Sequence, residues 1–355
     1  MNRHISLVFL SILSFYILKA QNSAETDSVN PWIIAEKNLT SPMGASSELH
    51  VAITNMPAPN LIQAKLFKPN GSEEWNQFSD GANTFIEKEI EKMLKQFSVQ
   101  VRTDKIDGVN VRYIEPKEIA PEHANHLFIH LHEGGYIFGR GSAGITEAIL
   151  IAARSKINVV SIDYPMPPDN PFPAAIDDVV IVYRNLISQY SPQKIAIGGT
   201  SAGGGLALAS IHKFKELDLS LPGAVYTGSP WADLTKTGDS HYVNEGIDRV
   251  AVTYDGWLKA AAELYADGQD LKHPFISPIY GDFENFPPTY LVTGTRDLLL
   301  SDVVRTHRKL KLNGVEAELN VYEGLSHADY LYLINTPESV QIYEELGDFL
   351  IQYLR

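Results

Sequence analysis

The sequence predicts an α/β fold in which a mostly parallel sheet of about eight strands is flanked by helices and covered by a helical cap. Three observations predict this fold. Apolar runs of strand length recur along the chain, most are followed by a segment with apolar residues at helical spacing, and the 355-residue chain is 44% hydrophobic. A chain of this size and composition can bury a large core, and the alternation is typical of parallel strands joined by crossover helices.

The first twenty residues have the layout of a secretory signal peptide. An apolar run from Ile5 to Leu18 follows Arg3, and polar residues begin at Gln21. The run is short for a membrane span, which takes about 20 residues, so a cleaved signal is favoured over an uncleaved anchor. We predict cleavage after Ala20 or a few residues later, export to the periplasm or the medium, and no stable membrane association afterwards.

The charge and the cysteine content exclude several kinds of site. The chain has 43 acidic and 29 basic residues, a formal net charge of −14, and no cysteine. This charge disfavours binding to nucleic acid and to anionic membranes. The absence of cysteine excludes disulfides, thiolate metal ligands, cysteine nucleophiles and a lipid-modified cysteine.

Residues 21–97 are predicted to form an N-terminal cap segment. Several prolines interrupt it until Ala82–Phe97, where apolar residues recur at helical spacing. The stripe predicted to be buried contains Phe85, Ile86, Ile90, Met93, Leu94 and Phe97. A hairpin is predicted next, because Val99–Arg102 and Val109–Ile114 alternate in polarity on either side of an Asp-Gly turn.

Residues 98–355 are predicted to be the catalytic domain, with a cap insertion at 229–288. Further strands are predicted at His126–His132, Val159–Asp163, Lys194–Gly198, Gly223–Thr227, Thr289–Thr293 and Glu318–Tyr322. Helices are predicted at Ala143–Ser155, Ala174–Ser188, Gly204–Lys215, Ser301–Leu312 and Pro337–Leu354. The insertion is too long for an ordinary connection, and its Tyr254–Tyr265 part has helical spacing.

The clearest chemical motif is Gly199-Thr200-Ser201-Ala202-Gly203, which lies between a predicted strand and a predicted helix. This corner is where a nucleophile elbow holds a serine in a strained conformation. Glycines are needed there because side chains would collide with the strand and the helix. A glycine-rich turn that only caps a helix is the alternative, but the position of the motif favours Ser201 as a nucleophile.

A second motif runs from His132 to Tyr136 and contains the adjacent glycines Gly134 and Gly135. Adjacent glycines leave backbone N–H groups free to point at a substrate oxygen. With the N–H of Ala202, they are predicted to form an oxyanion hole, in which each donor contributes about 3–4 kcal/mol. A plain glycine turn is the alternative interpretation.

These motifs resemble the hormone-sensitive-lipase-like family of carboxylesterases, which has the α/β-hydrolase fold. The resemblance begins near Ser98, and the blocks that carry it are His132–Gly135, Asp163–Pro165, Phe172–Val179 and Gly199–Gly204. Glu133 stands where the family has a glycine, and Thr200 where it has an aspartate. The resemblance implies that the two following glycines donate to the oxyanion, so Glu133 leaves the hole intact. Thr200 removes a carboxylate beside the nucleophile but no member of the triad.

A serine nucleophile needs a base that is itself oriented by a carboxylate, and in this fold the order along the chain is Ser, Asp, His. Asp297 directly follows a predicted strand, within a segment that resembles the acid segment of the family. Asp302 is the nearest alternative, but we expect it to contribute to a helix N-cap. His327 lies in Gly324–Asp329, which resembles the histidine loop of the family, and is the predicted base.

His130, His132 and Glu133 are candidate metal ligands, because the two histidines alternate on one predicted strand. A catalytic zinc usually has three protein ligands, and no HExxH helix or aspartate cluster supplies more. We therefore predict no metal and no other cofactor, and expect His132 to support the oxyanion loop.

The expected function is hydrolysis of small carboxylic esters through an acyl-enzyme. The resemblance implies a short acyl chain, and Gly228–Thr235 also resembles lactone hydrolases. Carbohydrate acetyl esters are a further alternative. A non-catalytic binding protein on the same scaffold is disfavoured by His327, and a serine peptidase by the lack of room for a propeller domain. The predicted partner is a small ester, and a homodimer is possible.

Overall fold

An eight-stranded sheet forms the centre of the fold in the computed structural model, which describes residues 38–355. The strands are β1 (Gln100–Ile106), β2 (Val109–Glu115), β3 (Leu127–Leu131), β4 (Asn158–Ile162), β5 (Ile195–Thr200), β6 (Ala224–Gly228), β7 (Thr289–Gly294) and β8 (Ala317–Tyr322). Their order in the sheet is β1-β2-β4-β3-β5-β6-β7-β8. Only β2 forms antiparallel pairs, with β1 and β4, and the remaining pairs are parallel. The predicted fold class is therefore confirmed.

Helices cover both faces of the sheet. They are α1 (Ser47–Asn55), α2 (Leu61–Leu66), α3 (Gly71–Phe97), α4 (Thr146–Ser155), α5 (Ala174–Leu186), α6 (Ala202–Glu216), α7 (Ser240–Val243), α8 (Trp257–Ala266), α9 (Leu300–Leu312), α10 (Asp329–Tyr332) and α11 (Pro337–Tyr353). Neighbouring strand residues such as Phe128 and Ile129 belong to two different apolar cores, because successive side chains of a strand point to opposite faces. Helices α5, α6 and α9 contribute to one core, and α4 and α11 to the other.

The long helix α3 begins at Gly71, eleven residues before the predicted start. Its first turns carry mostly polar residues, so they lack the apolar spacing from which the helix was predicted. They are nevertheless anchored, since Trp75 is 3% exposed and the hydroxyl of the buried Ser79 donates to the carbonyl oxygen of Ile137 at 2.8 Å.

The predicted apolar stripe on this helix is correct in part. Ile90 and Met93 are buried, but Phe85 is 68% exposed, so its inclusion in the buried stripe was wrong. Phe85 lies beside an open groove between α3 and the residues around Tyr332, where no element covers it among the described residues.

The insertion at 229–288 contains α7 and α8 and packs against the N-terminal helices. The rings of Phe78 on α3 and Trp257 on α8 lie 5.3 Å apart, and Lys65 on α2 forms an ion pair with Glu245 at 2.8 Å. These contacts bring the two predicted cap segments together. The predicted signal peptide, residues 1–20, lies outside the described residues, and none of the described helices has the length and apolar character to cross a membrane.

Candidate active site

Ser201 occupies a strained corner between β5 and α6. Its φ and ψ angles are 58° and −120°, a region that residues with side chains rarely adopt. A Cβ atom on Gly199 or on Gly203 would lie 1.9 Å from the carbonyl oxygen of Leu131. The glycines on either side of the serine are thus required because the backbone of the adjacent strand β3 leaves no room for a side chain.

The structure brings Ser201, His327 and Asp297 into one hydrogen-bonded chain, although the first two are 126 positions apart. The Nε2 atom of His327 lies 2.8 Å from the Oγ atom of Ser201, and its Nδ1 atom lies 3.1 Å from Oδ1 of Asp297. The exposed fractions are 9% for Ser201, 8% for His327 and 0% for Asp297. The chain of hydrogen bonds is shielded from solvent but opens into a small cavity at the serine.

Electrostatic interactions between His327 and Asp297 favour the ionised form of Asp297. Burial raises the pKa of Asp297, but the charge and hydrogen bond of His327 and the hydrogen bond from the N–H of Leu299 outweigh it and lower the pKa overall. Burial lowers the pKa of His327, but the charge and hydrogen bond of Asp297 outweigh burial and raise it overall. The aspartate can therefore stabilise the imidazolium that forms when the histidine takes a proton.

Asp302, the alternative acid, is not an N-cap. Helix α9 begins at Leu300, and Asp302 lies buried in its first turn, where Oδ2 accepts a hydrogen bond from the N–H of Asp233 at 2.9 Å. Burial and the charge of Asp233 raise the pKa of Asp302 well above its usual range. The cap prediction was wrong because the helix starts earlier and the carboxyl group turns inward to a different backbone segment.

The candidate oxyanion donors lie around the serine. Gly134 and Gly135 have φ angles of +111° and +61° and line the cavity with Ser201, and Ala202 is the first residue of α6. A Cβ atom on Gly134 would lie 2.1 Å from the carbonyl oxygen of Phe138. Among the described residues no protein group accepts a hydrogen bond from these three N–H groups, so they are free to bind a ligand.

His132 supports the glycine loop from below. Its Nδ1 atom lies 2.7 Å from the carbonyl oxygen of Glu133, and its ring stacks on Tyr164 at 3.9 Å. The Tyr164 hydroxyl donates to the carbonyl oxygen of His132 at 2.7 Å. Burial lowers the pKa of His132 to about 4, so the imidazole is neutral and its Nδ1–H can donate to the loop.

The cap insertion supplies Asp248, a buried carboxylate that sequence reasoning missed. Its Oδ2 atom accepts hydrogen bonds from the N–H groups of Leu298 at 2.7 Å and His327 at 3.1 Å. Its Oδ1 atom accepts from Val250 and Ala251. Asp248 thereby ties the loop after β7 to the loop of the histidine, and burial and the charge of Asp297 raise its pKa to about 6.

A second missed residue, Glu147 on α4, lies beneath the elbow. Its Oε1 atom accepts hydrogen bonds from the hydroxyls of Thr200 at 2.6 Å, Tyr226 at 2.9 Å and Tyr343 at 3.2 Å. The carboxylate that the family carries in the elbow motif is absent at Thr200, but Glu147 places another one beside it. The hydroxyl of Thr200 thus links the elbow to α4.

One group of side chains has a composition that could hold a metal ion. The ligand atoms of His130, Glu133 and Glu147 lie within 4.8 Å of one another, and Nε2 of His130 is 3.4 Å from Oε2 of Glu147. His132, which the sequence also suggests as a ligand, is instead hydrogen-bonded to the glycine loop.

The cavity at the serine is small and largely apolar. It encloses about 50 Å³. The residues that line it are Glu133, Gly134, Gly135, Phe138, Ser201, Val250, Ala251, Trp257, Leu258, His327, Ala328 and Tyr332. The cap insertion thus supplies one wall, through Val250, Ala251, Trp257 and Leu258.

Comparison with known proteins identifies the family of this chain. A family model described as alpha/beta hydrolase fold matches residues 128–331. The solved structure of esterase E25 is 47% identical, has a TM-score of 0.90, and aligns over 92% of this chain and 100% of that one. A solved esterase from the bacterial hormone-sensitive lipase family is 28% identical, with a TM-score of 0.74 over 88% of this chain and 100% of that one. The chain belongs to the hormone-sensitive-lipase-like family of α/β-hydrolase carboxylesterases.

Curated relatives of this hormone-sensitive-lipase-like esterase have names of the same reaction class. An acetyl-hydrolase of Streptomyces hygroscopicus is 30% identical over 69% of this chain and 82% of that protein. An esterase of Acinetobacter venetianus is 30% identical over 71% of this chain and 82% of that protein. The protein is a carboxylic ester hydrolase of the serine type, as its sequence predicted.

Proposed function

We propose that Ser201 is the nucleophile, His327 the general base and Asp297 the acid of the triad. The hydrogen-bonded chain from the serine through the imidazole to the carboxylate carries this proposal. Ser201 Oγ attacks the ester carbonyl carbon while Nε2 of His327 takes its proton, and the alcohol leaves with that proton. A water molecule then attacks the acyl-enzyme by the same route and releases the acid and the free serine.

We further propose that the N–H groups of Gly134, Gly135 and Ala202 bind the oxyanion of each tetrahedral intermediate. Three observations support this role. The N–H groups lack other acceptors among the described residues, the two glycines line the cavity at Ser201, and Ala202 opens a helix whose N-terminus favours negative charge. Donors that are fixed before the reaction stabilise the developing charge without reorganisation.

The substrate that we propose is a small ester with a short acyl chain. The cavity of about 50 Å³ is smaller than an engineered cavity of about 150 Å³ that admits benzene, which favours a short acyl chain over a long one. Two relatives are named acetyl-hydrolase and versiconal hemiacetal acetate esterase, which is consistent with this size.

A series of p-nitrophenyl esters from two to twelve acyl carbons tests the substrate size. We expect kcat/KM to be highest between two and four carbons and to fall at least tenfold by eight, because longer chains must displace Trp257 or Leu258. As a matched variant, Leu258→Ala should move the optimum to longer chains. An optimum at eight carbons or more in the native enzyme would contradict the proposed class.

We also propose that the protein is exported after removal of residues 1–20. The charged start, the short apolar run and the polar residues from Gln21 support this. N-terminal sequencing of protein recovered from the periplasm or medium should begin near Gln21. An intact N-terminus in the membrane fraction would indicate an anchor.

A further inference from the structure

Glu133 places a buried carboxyl group in the wall of the catalytic cavity. The side chain is 5% exposed and lines the cavity together with Ser201 and His327. Its Oε2 atom has no hydrogen-bond partner among the described residues. Oε2 is itself shielded, as are the unpaired Nε2 of His130 and Oε2 of Glu147 in the same cluster. The oxygen of Glu133 that is left to meet a ligand in the cavity is therefore Oε1.

The surroundings of Glu133 favour its neutral form. Glu133 interacts electrostatically with four titratable groups, which are Glu147 on α4, His327 in the loop after β8, Tyr164 after β4 and Tyr332 on α10. His130 on β3 lies in the same cluster as Glu133 and Glu147. Burial and the charge of Glu147 raise the pKa of Glu133 to about 8, against the opposing effects of its own N–H and of His327. Near neutral pH the group therefore carries a proton that it can donate.

The position of this group next to Gly134 gives the proton a use. We propose that Glu133 is a further catalytic residue, whose carboxyl group donates a hydrogen bond from Oε1 to an oxygen atom of the bound ester. This inference rests on the proposed function, because it needs the ester carbonyl to lie at Ser201. A carboxylic acid that is kept neutral by an apolar site can serve as an oxyanion donor, whereas an ionised one at this place would repel the oxyanion.

The proposal accounts for the departure from the family motif at this position. The family has a glycine where this chain has Glu133, and the residue is tolerated because the two donor glycines follow it unchanged. It adds a donor from a side chain to the donors from the backbone. Unlike them it can ionise, so it gives the reaction an alkaline limit.

Two substitutions separate the donor from its charge. Glu133→Gln keeps an N–H donor of similar size but cannot ionise, and Glu133→Gly restores the family residue without any donor. Glu118→Gln, at an exposed carboxylate, is the matched control. We would measure kcat for p-nitrophenyl acetate from pH 5.5 to 9.5, corrected for spontaneous hydrolysis, with the competent serines counted by phosphonate titration in each variant.

In the native enzyme and the control, kcat is expected to rise with pH as His327 loses its proton. The midpoint of this rise should lie above the ordinary pKa of a histidine, because the pKa of His327 is raised. At higher pH kcat should fall again, with a midpoint near 8, as Glu133 ionises. Glu133→Gln should lose the alkaline fall and stay within about tenfold of the native kcat at pH 7. Glu133→Gly should also lose the alkaline fall. Its kcat at pH 7 should be about ten- to a hundredfold lower than that of the native enzyme, which is a somewhat smaller decrease than the removal of a main oxyanion donor causes.

Two results would overturn the role of Glu133. One is an alkaline fall that persists unchanged in Glu133→Gln, and the other is a folded Glu133→Gly variant with at least half the native kcat at pH 7. If Glu133→Gly does not fold, the profile of Glu133→Gln decides alone. Failure of phosphonate to label the native enzyme would instead refute the proposed function, so the two failures are distinguishable.

A metal measurement separates a donor from a ligand. The native enzyme would be incubated with Zn²⁺, dialysed and analysed for bound metal. We expect less than one-tenth of an equivalent. One equivalent that disappears in Glu133→Gln would show that Glu133, His130 and Glu147 hold a cation, and would overturn the role of Glu133 as a donor.

Discussion

Ser201→Ala is expected to lower kcat by roughly 10⁶-fold, to the level that binding and oxyanion donors alone can sustain. The reason is that, among the described residues, Ser201 alone has its hydroxyl hydrogen-bonded to Nε2 of His327, as a nucleophile activated by that base must be. Alanine keeps the Cβ atom, so the strained backbone at φ 58° is no more strained than before and the fold should persist. Turnover of p-nitrophenyl acetate by purified protein, with a thermal melt for integrity, measures this.

Ser210→Ala is the matched control for this substitution. Ser210 is also buried on α6, but its hydroxyl donates to the carbonyl oxygen of Leu206 within the helix, away from the histidine. Its loss should leave kcat within about twofold. A Ser201→Ala variant that retains a tenth of native turnover would refute the assignment of the nucleophile.

Asp297→Asn is expected to lower kcat on the order of 10³–10⁴-fold with a much smaller effect on binding. The amide group would donate to Nδ1 of His327 and so leave the proton on Nε2, which could then no longer accept from the serine. The amide would also fail to stabilise the imidazolium. Steady-state kinetics on one ester, with kcat and KM separated, measure the effect.

Asp302→Asn provides the comparison, because the same chemical change is made five residues away. Asp302 is buried, its pKa is raised well above its usual range, and it accepts one hydrogen bond from the backbone, which an amide oxygen can also accept. We expect kcat near the native value and a loss of stability of about 0.5–1.5 kcal/mol. If Asp302→Asn were the crippled enzyme and Asp297→Asn near normal, the acid would be misassigned.

Those parts of the fold and the site that are marked by a short sequence motif could be predicted from the sequence. The parallel strands have apolar runs because both faces are covered, and Gly199 and Gly203 are glycines because the backbone of β3 excludes a Cβ atom. Asp297 could be preferred over Asp302 because it directly follows a strand. These features are encoded within a few residues of each site.

Features that depend on packing between distant elements could not be predicted. Asp248 lies in the cap insertion and belongs to no recognisable motif. Its carboxylate accepts hydrogen bonds from the backbone N–H groups of Leu298 and His327, which are 50 and 79 positions away in the sequence. Glu147 meets hydroxyls from three different elements. The first turns of α3 are mostly polar and show no apolar period, because among their residues only Trp75 and Ser79 are fully buried.

Labelling with a fluorophosphonate, followed by mass spectrometry of the digested protein, tests the central claim most directly. The reagent forms a covalent bond only with a serine that is activated by a base. We predict one phosphonyl group per chain, on the peptide that contains Ser201, with activity lost in proportion to labelling and no label on Ser201→Ala. Stoichiometric inactivation with the label on another residue, or full activity after prolonged exposure, would contradict the account.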